Sequence, residues 1–441
     1  MRKIFSGRKS GGEGDFIFSV DTGNTDANSS NSDQFYIPIK DGTSLGGFTV
    51  AFHVDWGDGT TSNINSSNYA TERLHTYAGG AGTYTITCGG SIAGFSFGAM
   101  PSIAGIKDST KVMDIMNWGS FHLGDTPASI SLGQVFYNCS NLVQVSAPDV
   151  PNTRAANGYL EANAYRQLFH GCGDLERINN IGNWYTNGES FTCFRMFNSC
   201  VKFQYGDMAT GIIDLSGWDM TSVSGNGYDM MFYDCKLFNG KLFSQVSPSG
   251  GSLDNTFGGC EVFSGSNSIT ELQAWDTSNI TVMNQTFKGC PLFNVDISMW
   301  NTSSVTNMLG MFDNYSTASP GVFNQPIGAW DTSNVTNMTY MLNECSSFDQ
   351  DLSNWNVNAW SAAGSAPNAL AIAASFAAPF VLSQANYNAL LIAWDAYTYP
   401  SWPGGTVSFG SSQYSLSNAA AVSARASLVT KWGAITDGGG V

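Results

Sequence analysis

The chain has 441 residues, 42% of them hydrophobic and only 12% charged, with a formal net charge of −16. That length exceeds one ordinary core, so two or three units are expected; with 18 Lys and Arg against 34 Asp and Glu, nucleic acid and anionic membrane surfaces, which need clustered cations, are poor partners. No run approaches 18 consecutive apolar residues, which argues against a helical membrane span, and so little charge means that the polar surface is built from Ser, Thr, Asn and Gly.

Residues 1–16, "MRKIFSGRKSGGEGDF", hold Arg2, Lys3, Arg8 and Lys9 but no apolar stretch after them. No secretory leader is expected there. The segment reads as a flexible basic arm, a candidate attachment device for an acidic partner surface. Residues 17–92 read as a β-sandwich. "FYIPI", "FTVAFHV" and "TYTITC" alternate as strands between the Gly-rich turns "WGDG" and "YAGGAGTY". Asp55 and Asp58 in the first turn could bind calcium, but holding a tight loop is the plainer role for them. No metal or cofactor is expected. Residues 93–130 are assigned as a leading cap.

From 131 to 358 the chain repeats itself. "VFYNC", "LFHGC", "MFNSC", "MFYDC", "TFGGC", "TFKGC" and "MLNEC" end at Cys139, Cys172, Cys200, Cys235, Cys260, Cys290 and Cys345, and "MFDNY" puts Tyr315 where an eighth cysteine would stand. The steps are 33, 28, 35, 25, 30, 25 and 30 residues, the range of a solenoid in which each repeat covers the next. Within a repeat, Val335, Met338, Met341, Leu342 and Cys345 have helical spacing. "FDQDLSNWNV" then alternates as a strand, with Trp355 and Val357 against Asn354, Asn356 and Asn358. The expected unit is a short helix, a turn and a short strand. Trp218, Trp275, Trp300, Trp330 and Trp355 would form a buried column, with Cys235, Cys260, Cys290 and Cys345 in the core. Of the nine cysteines, seven occupy one repeat position on a helically spaced apolar face; with an odd count and no CxxC pair, they read as buried free thiols.

Residues 359–441 are assigned as a C-terminal cap. Tyr387, Leu390, Leu391 and Trp394 mark one helix and Val422, Leu428, Val429 and Trp432 a second, with the strand "GTVSFG" between them.

"WDTSNVTNMTYMLNECSSFDQDLSNWNV" at 330–357 resembles the repeat of BspA-like leucine-rich-repeat surface proteins. "VDWGDGTTS" with "HTYAGGAGTYTIT" resembles a PKD-type immunoglobulin-like domain, and "NYNALLIAW" with "RASLVTKWGAITDGG" the segment that closes such arrays. The resemblance implies an α+β protein: an Ig-like β-sandwich, then a leucine-rich-repeat-like α/β solenoid, then a cap. It also implies adhesion at a bacterial or phage surface.

The residue after each Trp would point outward, so that Asp219, Asp276, Asn301, Asp331 and Asn356 form a polar ladder. The ladder either binds glycan hydroxyls or a protein, or only caps turns. Its repetition argues against catalysis, since an active site is a single departure from a pattern. The function expected is therefore a non-enzymatic virion surface protein, a tail-fibre, receptor-binding or head-decoration component. A bacterial adhesin and a polysaccharide depolymerase are the alternatives. The partners expected are other virion proteins, a host-surface glycan or protein, and further copies of the chain in a homo-oligomer.

Overall fold

The computed structural model describes residues 14–39, 51–65, 67–91, 95–98, 107–119, 121, 123, 133–153, 162–184, 186, 191–206, 211–223, 225–246, 251–315, 317, 319–357, 371–372, 381–397 and 405–441. The basic arm with Arg2, Lys3, Arg8 and Lys9 lies outside these residues, as does Asn358. The chain divides into two compact units, Met1–Ser222 and Val223–Val441.

In the first unit, alternating sequence makes alternating strands. Strand β1 (Phe16–Asp21) buries Phe16, Phe18 and Val20 and turns the residues between them outward. It pairs antiparallel with β6 (Thr83–Ser91) on one side and with β7 (Val112–Asn117) on the other. β3 (Ala51–Asp55) pairs with β4 (Thr61–Asn65) and with β6. β2 (Gln34–Tyr36) and β5 (Leu74–Thr76) form a separate two-stranded pair, and α1 (Tyr69–Glu72) is a single turn. β8 (Gln144–Val145) and β9 (Arg177–Ile178), five residues beyond Cys139 and Cys172, extend β7 in parallel. The result is one mixed seven-stranded sheet, ordered β4-β3-β6-β1-β7-β8-β9.

That sheet corrects the expected architecture. A sandwich followed by an α/β solenoid would set two β-sheets face to face and then start a new body. Here the strands of 16–91 run by hydrogen bonds directly into the first repeats, and among the described residues the one further sheet beside them is the β2–β5 pair. The repeats are not helical either. Each stretch before a repeat cysteine is a run of turns. The residues five and one before the cysteine have positive φ in every cysteine copy, for example Gln134 (73°) and Asn138 (57°), Gln285 (49°) and Gly289 (68°), Tyr340 (59°) and Glu344 (62°).

A left-handed residue every fourth position cannot propagate a helix. Instead, alternate N–H groups point to the next repeat. Met283, Gln285, Phe287 and Gly289 donate to the carbonyls of Asn307, Leu309, Met311 and Asp313, while Lys288 and Cys290 donate back to Gln285 and Phe287. The same wiring joins 308–314 to 337–343 and, in the first unit, 134–138 to 166–170. The 0, 3, 6, 7, 10 spacing of apolar residues is therefore real as a burial pattern, but the backbone that satisfies it is a stack of turns.

The expected strand at "FDQDLSNWNV" is also displaced. Trp355 and Val357 are buried and Asn354 is exposed, yet among the described residues the segment pairs with no strand. The parallel ladder of the second unit lies elsewhere. β10 (Gly251–Ser252) pairs with β11 (Ile280–Val282), and single bridges continue it from Val282 to Asn307 and on to Asn337. One regular helix turn, α2 (Ile269–Ala274), interrupts the series.

Aromatic rings fill the interior of each unit layer by layer. Phe136, Phe169 and Phe197 stack at 5.8 and 6.0 Å in the first unit; Phe232, Phe257, Phe287 and Phe312 stack at 5.6, 5.6 and 5.8 Å in the second. Beside the latter run Phe238, Phe263, Phe293, Phe323 and Phe348.

The chain ends in a small α/β module. β12 (Ala371–Ile372), β13 (Gly405–Phe409) and β14 (Gly433–Thr436) form a parallel sheet. Helix α3 (Gln384–Asp395) starts at Ser383, whose side chain accepts from the Asn386 N–H, and buries Tyr387, Leu390, Leu391 and Trp394 as their spacing predicts. Helix α4 (Ala419–Trp432) buries Leu428 and Trp432, but Ala421 and Ala424 fill the face where Val422 and Val429 were expected; both valines are half-buried. The module joins the last repeat through Asn386 and Ser383, which donate to the Asp349 side chain, and through Trp394, which donates to the Leu352 carbonyl.

Candidate ligand-binding face

The sequence motif Trp-Asp-Thr-Ser-Asn-Val-Thr-Asn-Met decides which side chains face water. Trp275, Trp300, Trp330 and Trp355 are buried, and each indole N–H donates to a carbonyl one layer back: to Phe243, Leu272, Ile297 and Ile327, at 2.9, 2.8, 3.2 and 3.0 Å. Trp218 in the first unit does the same to Ile181 at 2.7 Å. Each of these five tryptophans is thus pinned by a hydrogen bond as well as buried. In the next layer position, Thr277, Thr302 and Thr332 are buried and donate to the backbone carbonyls of Asn301, Asp331 and Asn356 at 3.0, 2.9 and 2.9 Å.

These threonine bonds put Asp276, Asn301, Asp331 and Asn356 in adjacent layers. Asp276, Asn301 and Asp331 are exposed and Asn356 is half-buried. One side-chain oxygen of each exposed residue is already engaged: Asp276 accepts the Ser278 N–H at 3.0 Å, Asn301 the Ser303 N–H at 3.0 Å, and Asp331 the Ser333 N–H at 2.9 Å. Asp219, in the first unit, is exposed and accepts from the Thr221 N–H and hydroxyl. The ladder thus caps turns, one of the two roles expected of it, while the Asp219, Asp276 and Asp331 side chains stay exposed. Hydrogen bonds from Ser278 and Ser333 hold the Asp276 and Asp331 carboxyls below the usual carboxylate range.

Beside this ladder runs a second one that the sequence reading missed. Thr281, Thr306 and Thr336 are exposed, and the Thr306 and Thr336 N–H groups donate to Thr281 and Thr306 at 2.9 and 2.8 Å. The signal was the second Thr of the nine-residue motif, masked by the assumption that this stretch begins a helix. The face therefore presents Asp or Asn, then Asn or Ser, then Thr, in each of three successive layers.

The nine cysteines are all free and buried. They do more than fill space. Cys172, Cys200, Cys260, Cys290 and Cys345 each donate a thiol hydrogen to the carbonyl of the Phe one layer back, at 3.0–3.2 Å. Burial pushes the Cys260, Cys290 and Cys345 thiols well up, so no thiolate nucleophile is available there. In the turn 55–60, Asp55 accepts from the Gly57 N–H and Asp58 from the Thr60 N–H and hydroxyl and from His75, which lies flat on Trp56 at 4.6 Å. Both carboxylates are thus engaged in holding the loop. Sequence reasoning also missed the Lys111–Asp108 pair, fully buried at 3.4 Å, whose ammonium also binds the Ser30, Asn31 and Gln34 carbonyls. It ties the loop before β2 to the start of β7.

Stacked turns with a repeated outward polar motif define a repeat protein with an open lateral face. The family model described as "Mycoplasma protein of unknown function, DUF285" matches residues 131–267 and 251–378, more than half of the chain. The chain belongs to this family, and its array is that of a BspA-like surface repeat protein. No curated protein and no solved structure matches it.

Proposed function

We propose that the chain is a non-enzymatic surface protein that binds a host-surface glycan or protein through the ladder of Asp276, Asn301, Asp331 and Asn356 and the threonines beside it. The observation that carries this is the recurrence, layer after layer, of exposed Asp, Asn and Thr side chains in a regular row; the Thr281, Thr306 and Thr336 hydroxyls donate to the Gly251, Thr281 and Thr306 carbonyls and keep lone pairs that can accept from a ligand. The lowered Asp276 and Asp331 carboxyls support binding over hydrolysis, since a glycosidase needs one carboxyl held protonated. We place the protein on a virion: Ser, Thr and Asn in place of charge suit an external surface, and the basic start at Arg2, Lys3, Arg8 and Lys9 supplies an anchor to an acidic particle surface. A PKD-type role for residues 17–92 belongs to the same proposal, as a spacer or docking unit.

The test replaces Asp276 and Asp331 together by Asn. The chain itself uses Asn at the equivalent positions 301 and 356, so the turn caps survive and stability should stay within about 1 kcal/mol. Adsorption to host cells should slow several-fold. A double variant with normal melting and the original adsorption rate would move the binding site off this face.

A further inference from the structure

The three repeat layers of the first unit differ in charge from those of the second at the same turn positions. Segments 133–139, 166–172 and 194–200 read "GQVFYNC", "RQLFHGC" and "FRMFNSC", with no carboxylate among them. Four of the five corresponding turns of the second unit carry carboxylates, at Asp229, Asp234, Asp254, Asp313 and Glu344, and the fifth, 284–290, carries Lys288, which pairs with Asp313. In a chain of net charge −16, the edge of the first unit is therefore a local cationic exception.

The structure brings those residues together. Gln134 donates to the Arg166 carbonyl, Gln167 to the Phe194 carbonyl and Gly171 to the Asn198 carbonyl, so the three segments lie in adjacent layers. The Arg166 and Arg195 guanidiniums both lie over the Phe194 ring, at 4.7 and 5.0 Å from its centre. One ring thus holds two planar cations in place and lowers the entropy each would lose on binding. Arg166 has no carboxylate partner among the described residues. Next to them Tyr137 and His170 stack at 4.7 Å, nearly parallel. Burial first, and the Arg195 charge second, lower the His170 pKa, so at neutral pH the imidazole is neutral and the positive charge rests on the arginines. All five side chains are half-buried, and Asn138 is exposed at the rim.

We infer that Arg166 and Arg195, fixed on Phe194 and flanked by Tyr137 and His170, form a second binding site, for a carboxylate-bearing polysaccharide. A guanidinium pairs with a carboxylate through two parallel hydrogen bonds, and the Asn138 amide serves sugar hydroxyls. Nucleic acid is disfavoured by the acidity of the rest of the chain. Three layers at strand spacing span about 10 Å, which matches a short run of uronate units rather than a single sugar. The inference goes beyond the ladder face of the second unit and is tested separately from it.

The full chain would be titrated with polygalacturonate, dextran and a polyglutamate peptide at low salt. Polygalacturonate should bind, weaken as salt rises, and bind at least 10-fold less tightly to the Arg166→Ala/Arg195→Ala variant. The Arg166→Lys/Arg195→Lys variant keeps charge and bulk, and should recover only part of the affinity because it lacks the paired donors. No binding by the parent, unchanged binding by the Ala pair, or full recovery by the Lys pair would overturn the site. Polyglutamate bound as tightly as polygalacturonate would reassign it to an acidic protein and overturn the glycan assignment.

Discussion

A single cysteine shows how the repeat works at the residue scale. Cys290 is apolar enough for the core, small enough to sit between aromatic layers, and able to donate to the Phe257 carbonyl at 3.0 Å. Alanine would leave that carbonyl without its thiol donor and serine would bury a more polar group, so cysteine is the compromise at this position. Tyr315 departs from it. That side chain is 67% exposed, and in its copy only Gly310, not Asn314, has positive φ. Because all nine thiols are buried, a thiol reagent should label none in the native protein within minutes and nine after denaturation. Rapid native labelling of any one would place it at the surface. Cysteine spacing was legible in the sequence; the thiol-to-carbonyl bond was not, since it joins residues 28–36 positions apart.

At the element scale, one layer is too short to be stable by itself and takes its hydrogen bonds from its neighbours. Trp300 illustrates the coupling: its ring stacks on Trp275 at 5.8 Å while its N–H holds the Leu272 carbonyl. Trp300→Ala should cost about 3–5 kcal/mol, the scale for deleting a buried aromatic, read as a drop in the unfolding midpoint; an unchanged midpoint would contradict the buried column. Gly289 illustrates the backbone side. With φ at 68° it holds a left-handed position, and a Cβ there would press against the Gly259 backbone at 3.3 Å. Gly289→Val should therefore cost at least about 1–2 kcal/mol by left-handed strain alone, measured by the same melt. The expected helix failed at this scale for the same reason: apolar spacing reports which side chains are inside, and both a helix and a stack of alternating turns satisfy it. Gly171, Gly259 and Gly289 before the cysteines were the available sign that the backbone turns left there.

Across the whole molecule, two sets of carboxylates pull stability in opposite directions with pH. Burial opposes ionisation of Asp58, but hydrogen bonds from Thr60 and His75 outweigh it and hold the carboxyl at about 2. Asp437 behaves alike: burial is outweighed by Arg425, at 2.8 and 3.0 Å, and by the Tyr387 hydroxyl. A depressed carboxyl stabilises the fold above its unfolded pKa near 4 and loses that contribution as pH falls toward its folded value. Asp234 and Asp254 are the reverse. Burial raises both, so their ionisation costs stability at neutral pH and their protonation restores it. Melting temperature should thus rise modestly from pH 7 into the mildly acidic range and fall below about pH 4. In an Asp234→Asn/Asp254→Asn variant the acid-side rise should shrink; a rise of the original size would assign it to other groups.

What the sequence determined by itself was everything that repeats: the period, the buried tryptophans, the free thiols and the outward Asp and Asn, together with the two C-terminal helices. Each follows from local burial, because a residue type recurring at a fixed offset must meet the same surroundings each time. What only the tertiary structure decided was the wiring. It joined β1, β3, β4 and β6 to β7–β9 in one sheet where a separate sandwich was expected, chose turns over helices, and set Arg166 and Arg195 on one Phe194 ring. The physical reason is that backbone N–H and C=O groups are the same in every residue. Their partners are fixed by which layer lies alongside, and side-chain pattern carries no label for that neighbour.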